Sequence, residues 1–205
     1  HQLKTPITAI SLSAQMMEEH PSRDYLAQIH KQLGRLTHLE EALLLLSRLD
    51  AGILPLKMEA VDVYTAVSLA ADNLQEVFEA AGLSVDIPEM GEMKILADLD
   101  WTMEALMNLF KNCAEYTPPG GRIHCACSQN PLYTEIILWD DGKGFDKEDI
   151  PHLFERFYRG KNASGNGIGI GLSLAREIIE RQNGTIRAVN LPGKGAAFEI
   201  RFYSH

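Results

Sequence analysis

The chain of 205 residues has no run of about eighteen consecutive apolar residues, the minimum for a membrane-spanning helix, and no basic-then-apolar leader at its start. Positive charge is also scarce. Lys and Arg number 19 against 28 Asp and Glu, for a net charge of −9, and this excludes the broad basic footprint of a nucleic-acid binder. Any phosphate site must therefore be local. Cysteine is limited to Cys113, Cys125 and Cys127, too few and too closely placed for a disulfide framework. Cys125 and Cys127 with the neighbouring His124 lack the second ligand pair of a zinc site. All three read as reduced core residues of a cytosolic protein. The start methionine is missing as well, and the chain opens inside an amphipathic pattern, so it is expected to be a piece of a longer protein.

What is present is the composition of a folded protein, 45% apolar and 23% charged. Leu3, Ile7, Ile10, Ala14 and Met17 follow 4-3-4-3 spacing, the period of a helix with one narrow apolar stripe. His20-Pro21 stops it, and Ser22 is placed to cap a second helix. In that helix Leu26, Ile29, Leu33 and Leu36 form a heptad seam, which drifts to Leu39, Leu43 and Leu46. The pair is an antiparallel hairpin whose seams stay half covered, so a second copy is expected to complete a four-helix bundle. Ala51-Gly52 and Pro55 mark a boundary between a unit at 1–52 and another at 55–205.

Beyond that boundary the pattern changes. Asp62 to Gly82 reads as one capped helix with Val63, Val67, Ala70, Leu74 and Val77 on its inner face. Strand patterns follow at 83–87 and 93–97, then a helix at about 100–116 and strands at 122–128 and 133–139. A last helix at 172–182 precedes strands at 185–189 and 197–202. This mixture predicts an α+β fold, one sheet with a helical layer.

Within this unit residues 51–120 carry 3 basic and 12 acidic side chains, whereas 121–205 carry 11 and 10, with Arg156, Arg159 and Lys161 the densest basic cluster. Asn108 and Asn112 share a helix face and offer neutral oxygen ligands, which suits a magnesium ion already neutralised by nucleotide phosphates. Asp140-Asp141-Gly142-Lys143-Gly144-Phe145 ends an apolar strand with an acceptor and two glycines that admit a flat ligand. Gly165-Asn166-Gly167-Ile168-Gly169-Ile170-Gly171-Leu172 leads into a helix N-terminus and leaves amides for anions. No strand-turn-helix with a following acid accompanies these glycines, so they are not a dinucleotide fingerprint.

Taken together and in this order, the segments resemble the boxes of bacterial two-component sensor histidine kinases. His1-Gln2-Leu3-Lys4-Thr5-Pro6 resembles the H box and Asn108 to Pro118 the N box. Asp140 to Phe145 resembles the G1 box, Phe154-Glu155-Arg156-Phe157-Tyr158-Arg159 the F box, and Gly167 to Leu172 the G2 box. The resemblance implies a helical hairpin, half of a dimeric four-helix bundle, followed by a two-layer α/β sandwich of the Bergerat ATP-binding type. It implies ATP and Mg2+ as cofactors, a homodimer, and a response-regulator receiver domain as partner. It further implies a cytoplasmic location in a membrane-anchored parent sensor.

Position by position, His1 aligns with the phosphoacceptor, Gln2 with the neighbour that holds its ring, and Thr5 with the residue orienting water in the reverse, phosphatase reaction. Asn112 aligns with the magnesium ligand, with Asn108 beside it, and Tyr116 with the cover of the adenine face. Asp140 aligns with the adenine-amino acceptor, flanked by Gly142 and Gly144, and Arg159 with a phosphate contact. Gly167, Gly169, Gly171 and Leu172 align with the triphosphate cradle. Two positions depart from the pattern: Gln2 stands where most members carry Glu or Asp, and Glu115 where a basic residue is usual, with Lys111 a substitute for the missing cation. The competing readings are a weakly active scaffold or regulator phosphatase, and a clamp ATPase of the gyrase or chaperone kind.

Overall fold

A computed structural model of the chain describes residues 4–52, 55–89, 91–161 and 167–204, apart from the side chains of residues 38, 49 and 50. It divides into two compact units, 1–54 and 55–205.

The first unit is a pair of packed helices, α1 (Lys4–Glu19) and α2 (Arg23–Asp50). Ser22 caps α2, its Oγ accepting the Asp24 amide at 3.2 Å. Pro6 and Ser13 of α1 and Leu39 and Leu46 of α2 are buried, and the Ser13 hydroxyl donates to Gln28 Oε1 across the pair at 3.2 Å. Ile7, Leu12, Leu26, Leu33, Leu43 and Leu44 stay exposed, Ile7 by 52% and Leu33 by 48%. The stripes expected on both helices thus face away from the intrachain contact over much of their length.

The second unit is built on a five-stranded sheet ordered β2-β4-β5-β7-β6. Its strands are β2 (Ser84–Asp86), β4 (Arg122–Gln129), β5 (Tyr133–Asp140), β6 (Gly184–Asn190) and β7 (Ala196–Tyr203), and every pairing is antiparallel except β2 with β4. Period-2 alternation is strict in β5, where Thr134, Ile136, Leu138 and Asp140 are buried and Tyr133, Glu135, Ile137 and Trp139 half-buried. The register lines up Cys127, Ile136, Ile200 and Ile186 across four strands. On the buried face lies α5 (Leu99–Tyr116), which packs against α3 (Val63–Asp72), α6 (Gly171–Arg181), β4 and β5. Leu106, Leu109 and Phe110 of α5 are fully buried, each contributing about 1.5–3 kcal/mol of transfer free energy.

Three features differ from the sequence reading. The expected helix at 62–82 is two helices, α3 and α4 (Gln75–Ala81), although both of its ends are where the pattern puts them. Asp62 caps α3 by accepting the Thr65 amide at 2.9 Å, and Gly82 stops α4 in the left-handed region at φ 66°. Asn73 is the C-cap of α3, where its amide at 3.1 Å and its side-chain Nδ2 at 2.8 Å both donate to the Leu69 carbonyl. The break rotates Val77 away from the core, leaving it 43% exposed, while Val63, Val67, Ala70 and Leu74 are buried. Lastly, β1 (Glu59–Asp62) pairs with β3 (Lys94–Ala97) in a separate two-stranded sheet, and the strand at 59–62 had no period long enough to reveal it.

Candidate functional site

The site is organised by α5, whose inner face sinks Ala105, Leu106, Leu109, Phe110 and Cys113 into the core. One edge therefore carries Asn108 and Asn112, both half-buried, and the helix end carries Glu115 and Tyr116, both exposed. The Asn108 Nδ2 donates to the Glu104 carbonyl at 2.8 Å and to Glu104 Oε1 at 3.1 Å. This orients the carboxamide with its Oδ1 toward Gly171, where a Cβ would lie only 2.9 Å from it. At the other end of the glycine segment, a Cβ on Gly167 would meet Glu115 Oε2 at 3.8 Å. The row of glycines thus runs antiparallel along α5, from Glu115 back to Asn108.

Within this row Gly169, at φ 79°, makes the tightest backbone approach, since a Cβ there would lie 2.6 Å from the Tyr158 carbonyl. Its own carbonyl accepts the Phe157 amide at 2.7 Å, joining the segment resembling an F box to the glycine row. The row ends in α6, whose N-cap, Ile170, has no side-chain acceptor to compete for the first-turn amides. Leu172 is half-buried in that first turn.

Asp140 closes β5 and is 1% exposed. Its Oδ1 accepts the amides of Gly142 at 2.8 Å and Ala196 at 3.2 Å. The Cys113 thiol, pushed well up by burial and then by the carboxylate's charge, remains a proton donor to it. Burial holds Asp140 above the ordinary carboxylate value of 3.8, against the downward pull of those two amides. A Cβ on Gly142 would lie 2.7 Å from both Asp140 Oδ1 and the Tyr116 carbonyl, and one on Gly195 would strike Asp140 Oδ1. Glycine is therefore required on both sides of the acid. Gly144, at φ 83°, instead packs on Asn190, whose side chain clamps Phe145 by accepting its amide at 2.7 Å and donating to its carbonyl at 2.8 Å.

Tyr116 is 37% exposed; partial burial raises its hydroxyl, followed by the charge of Glu115, while the Arg159 cation acts in the opposite direction. Tyr116 and Arg159 are therefore near one another and Glu115, which itself faces Gly167, while Asn112 lies on α5 one turn beyond Asn108. Thr5 is exposed on α1, and Lys111 is exposed on α5. His1 and Gln2 lie outside the described residues.

Two buried polar groups escaped the sequence reading. Asp149 accepts the Tyr158 hydroxyl at 2.7 Å and the Lys161 amide at 3.1 Å, and pushes the Tyr158 pKa up to about 12. In sequence it is one acid of a mixed-charge run, Asp146-Lys147-Glu148-Asp149, with nothing to set it apart. Gln182, at the end of α6, accepts the Asp98 amide at 2.6 Å across the two helices, a pairing that no local pattern announces.

Residues 97–204 match the family described as histidine kinase-, DNA gyrase B-, and HSP90-like ATPase. Residues 1–52 match the His Kinase A phospho-acceptor domain. The chain belongs to the sensor histidine kinases. It holds the phosphoacceptor and ATPase domains that make up the catalytic portion of a two-component sensor kinase. The sensor protein SphS of Synechococcus elongatus is 34% identical over 213 residues, covering 97% of this chain and 51% of SphS. The swarming motility regulation sensor protein RssA of Serratia marcescens is 33% identical, covering 98% of the chain and 44% of RssA. The chain spans about half the length of these relatives.

Among solved structures, Acinetobacter baumannii histidine kinase AdeS superposes with a TM-score of 0.82 at 23% identity, covering 99% of this chain and 97% of that one. Histidine kinase ThkA, solved in complex with the response regulator protein TrrA, gives 0.80 at 19% identity over 100% of this chain and 59% of that one. These two establish the kinase fold, a helical region followed by the ATPase sheet domain.

Proposed function

We propose that this histidine kinase chain binds ATP with magnesium along α5 and transfers the γ-phosphate to its own His1, from which the phosphoryl group passes to an aspartate of a response-regulator receiver domain. The observation that carries this reading is the antiparallel run of glycines on α5, with Asn108 Oδ1 against Gly171 at one end and Glu115 against Gly167 at the other. Backbone without side chains lets amides approach a chain of phosphates, and the uncapped start of α6 adds a favourable dipole end. Asp140 accepts the amino group of the adenine. It is desolvated, and neighbouring amides already occupy one of its oxygens, so it has acceptor capacity left and little freedom to move. Tyr116 lies over the base, and Arg159 neutralises phosphate charge.

The donor set also fits magnesium. Asn112 and Asn108 are neutral oxygen ligands, and the Asn108 nitrogen is occupied by Glu104, so the oxygen is the end presented. Bound magnesium supplies charge neutralisation of the phosphates. The protein's own part is positioning: it fixes the triphosphate so that the His1 ring nitrogen attacks in line. Gln2 holds that ring by a hydrogen bond, and Thr5, one turn on, orients water for the reverse reaction.

Exposed Ile7, Leu12, Leu26, Leu33, Leu43 and Leu44 support a homodimer, because a second hairpin would cover them. The complex of ThkA with TrrA supports a receiver-domain partner. The relatives extend well beyond the matched region, which leaves room for the membrane-anchored sensor portion that the family resemblance implies, with this chain on its cytoplasmic side; among the described residues no helix is long and apolar enough to cross a membrane.

The test is incubation of the chain with ATP labelled at the γ-phosphate, followed by acid and alkali treatment. The expected label is acid-labile and alkali-stable, and His1→Gln removes it while ATP affinity stays unchanged. Release of free phosphate with no labelled protein overturns the reading.

A further inference from the structure

Gln182 is 1% exposed at the C-terminal end of α6, and a buried carboxamide must have partners. It has three. Its Oε1 accepts the Asp98 amide at 2.6 Å and the Thr102 hydroxyl at 3.3 Å, and its Nε2 donates to the Ile178 carbonyl of its own helix at 3.2 Å. Asp98 is in turn the N-cap of α5, with Oδ1 accepting the Trp101 amide at 3.1 Å and Oδ2 the Lys57 amide at 2.8 Å. One side chain on α6 therefore holds the residue that starts α5, and that residue holds the segment leading into the unit.

The two helices run antiparallel, so the opposite end of the pair is where Asn108 meets Gly171. Asp98 to Asn108 covers about 15 Å of α5, and Gly171 to Gln182 about 16 Å of α6, at 1.5 Å per residue. These nearly equal lengths make the pair a frame pinned at one end by a hydrogen bond and meeting at the other in a close approach. Apolar packing of Ala105, Leu106, Leu174 and Ile178 between the ends resists separation, yet it is non-directional and specifies axial position only weakly. A hydrogen bond tolerates only a few tenths of an ångström.

We propose that Gln182 is a positioning residue for the nucleotide site: by holding the cap of α5 it sets the axial register of α6, and so fixes the glycine row against Asn108 and Asn112. The inference rests on the ATP reading above. It separates two parts of the ligand. The phosphates would sit between α5 and the start of α6 and depend on this register, whereas the adenine would sit on Asp140, which β5 carries and the register does not move.

The experiment compares ATP with magnesium against adenosine by calorimetry, on the chain and on Gln182→Met, which keeps length and volume while removing both hydrogen-bonding ends. The expected result is a loss of about tenfold in ATP affinity, with adenosine affinity unchanged. Equal losses for both ligands indicate general loosening and overturn the proposal, as does unchanged ATP affinity. If Gln182→Met does not fold, Thr102→Val removes one donor at the same junction and keeps the shape; a selective loss of about threefold for ATP is expected, and an unchanged or equal loss overturns the proposal. Failure of the unaltered chain to bind ATP would instead defeat the ATP reading itself.

Discussion

The hairpin and the sheet unit use their apolar residues in opposite ways. In α1 and α2 the buried large apolar side chains among the described residues are Leu39 and Leu46, while Ile7, Leu12, Leu26, Leu33, Leu43 and Leu44 are exposed. In residues 55–204 the inner faces close on themselves, with Phe110, Phe198, Leu106, Leu109, Ile136 and Ile200 fully buried. A helix pair has one contact line and leaves the far side of each helix open. A sheet covered by α3, α5 and α6 buries its apolar face in a single chain. The first arrangement stores free energy for association, and the second spends it within the chain.

The largest effect should come from breaking the open side. Replacing Leu33 and Leu36 by Lys is expected to convert a dimer to monomers at every accessible concentration, because association would have to bury four ammonium groups. Light scattering reads the mass, and ATP affinity should not change if the nucleotide site lies wholly in residues 55–205. Next comes the closed side. Phe198 touches Phe145 at 5.4 Å and Phe154 at 6.4 Å between ring centroids, so Phe198→Ala should cost about 3–5 kcal/mol in urea unfolding. The oligomeric state should be retained.

A smaller effect is expected at Asp140. Asp140→Asn turns an acceptor partly into a donor facing donors and should weaken adenosine binding by about 1–3 kcal/mol, or about 5- to 150-fold in Kd. The pH dependence has a definite sign. Burial raises the folded carboxyl above 3.8, so the native state binds this proton more tightly than the unfolded chain does. The cost of the buried charge is present above the raised value and is relieved as pH falls through it toward 3.8. Adenine affinity moves the other way, since the accepting form disappears in that same window. Titrations of stability and affinity on the unaltered chain and on Asp140→Asn check both slopes, since the difference between the two proteins isolates the contribution of Asp140. The smallest effect belongs to the solvated side of the sheet. Arg187 pairs with Glu199 at 2.6 Å but is 61% exposed, and Arg187→Ala should change unfolding free energy by less than about 0.5 kcal/mol.

Much of the frame was legible because it is written in local periods and stops. The cap at Asp62, the stop at Gly82, the α5 end near Tyr116 and the strict alternation of β5 all depend on neighbours within one element. The break at Asn73-Leu74 was not legible, since Val63, Val67, Ala70 and Leu74 keep helical spacing right through it. Strand β1 was hidden for a related reason: four residues cannot display a period, and its identity comes from pairing with β3. At the site, the glycines and asparagines stood out by type and spacing. Asp149 and Gln182 did not, because an acid in a charged run and a glutamine at a helix end look like surface until a fold buries them.

By itself the sequence determined the order of most elements, most of their apolar faces and the residue types that suit a nucleotide, all consequences of spacing along one chain. Tertiary structure alone decided that the glycine row lies antiparallel on α5, that Asp140 is wedged between Gly142 and Gly195, and that Gln182 reaches the cap of α5 across 84 residues of sequence. The physical reason is that hydrogen bonds and close approaches of this kind depend on distances of a few tenths of an ångström between distant segments. Hydrophobic patterning can bring such segments together, but it is non-directional and carries no information at that precision.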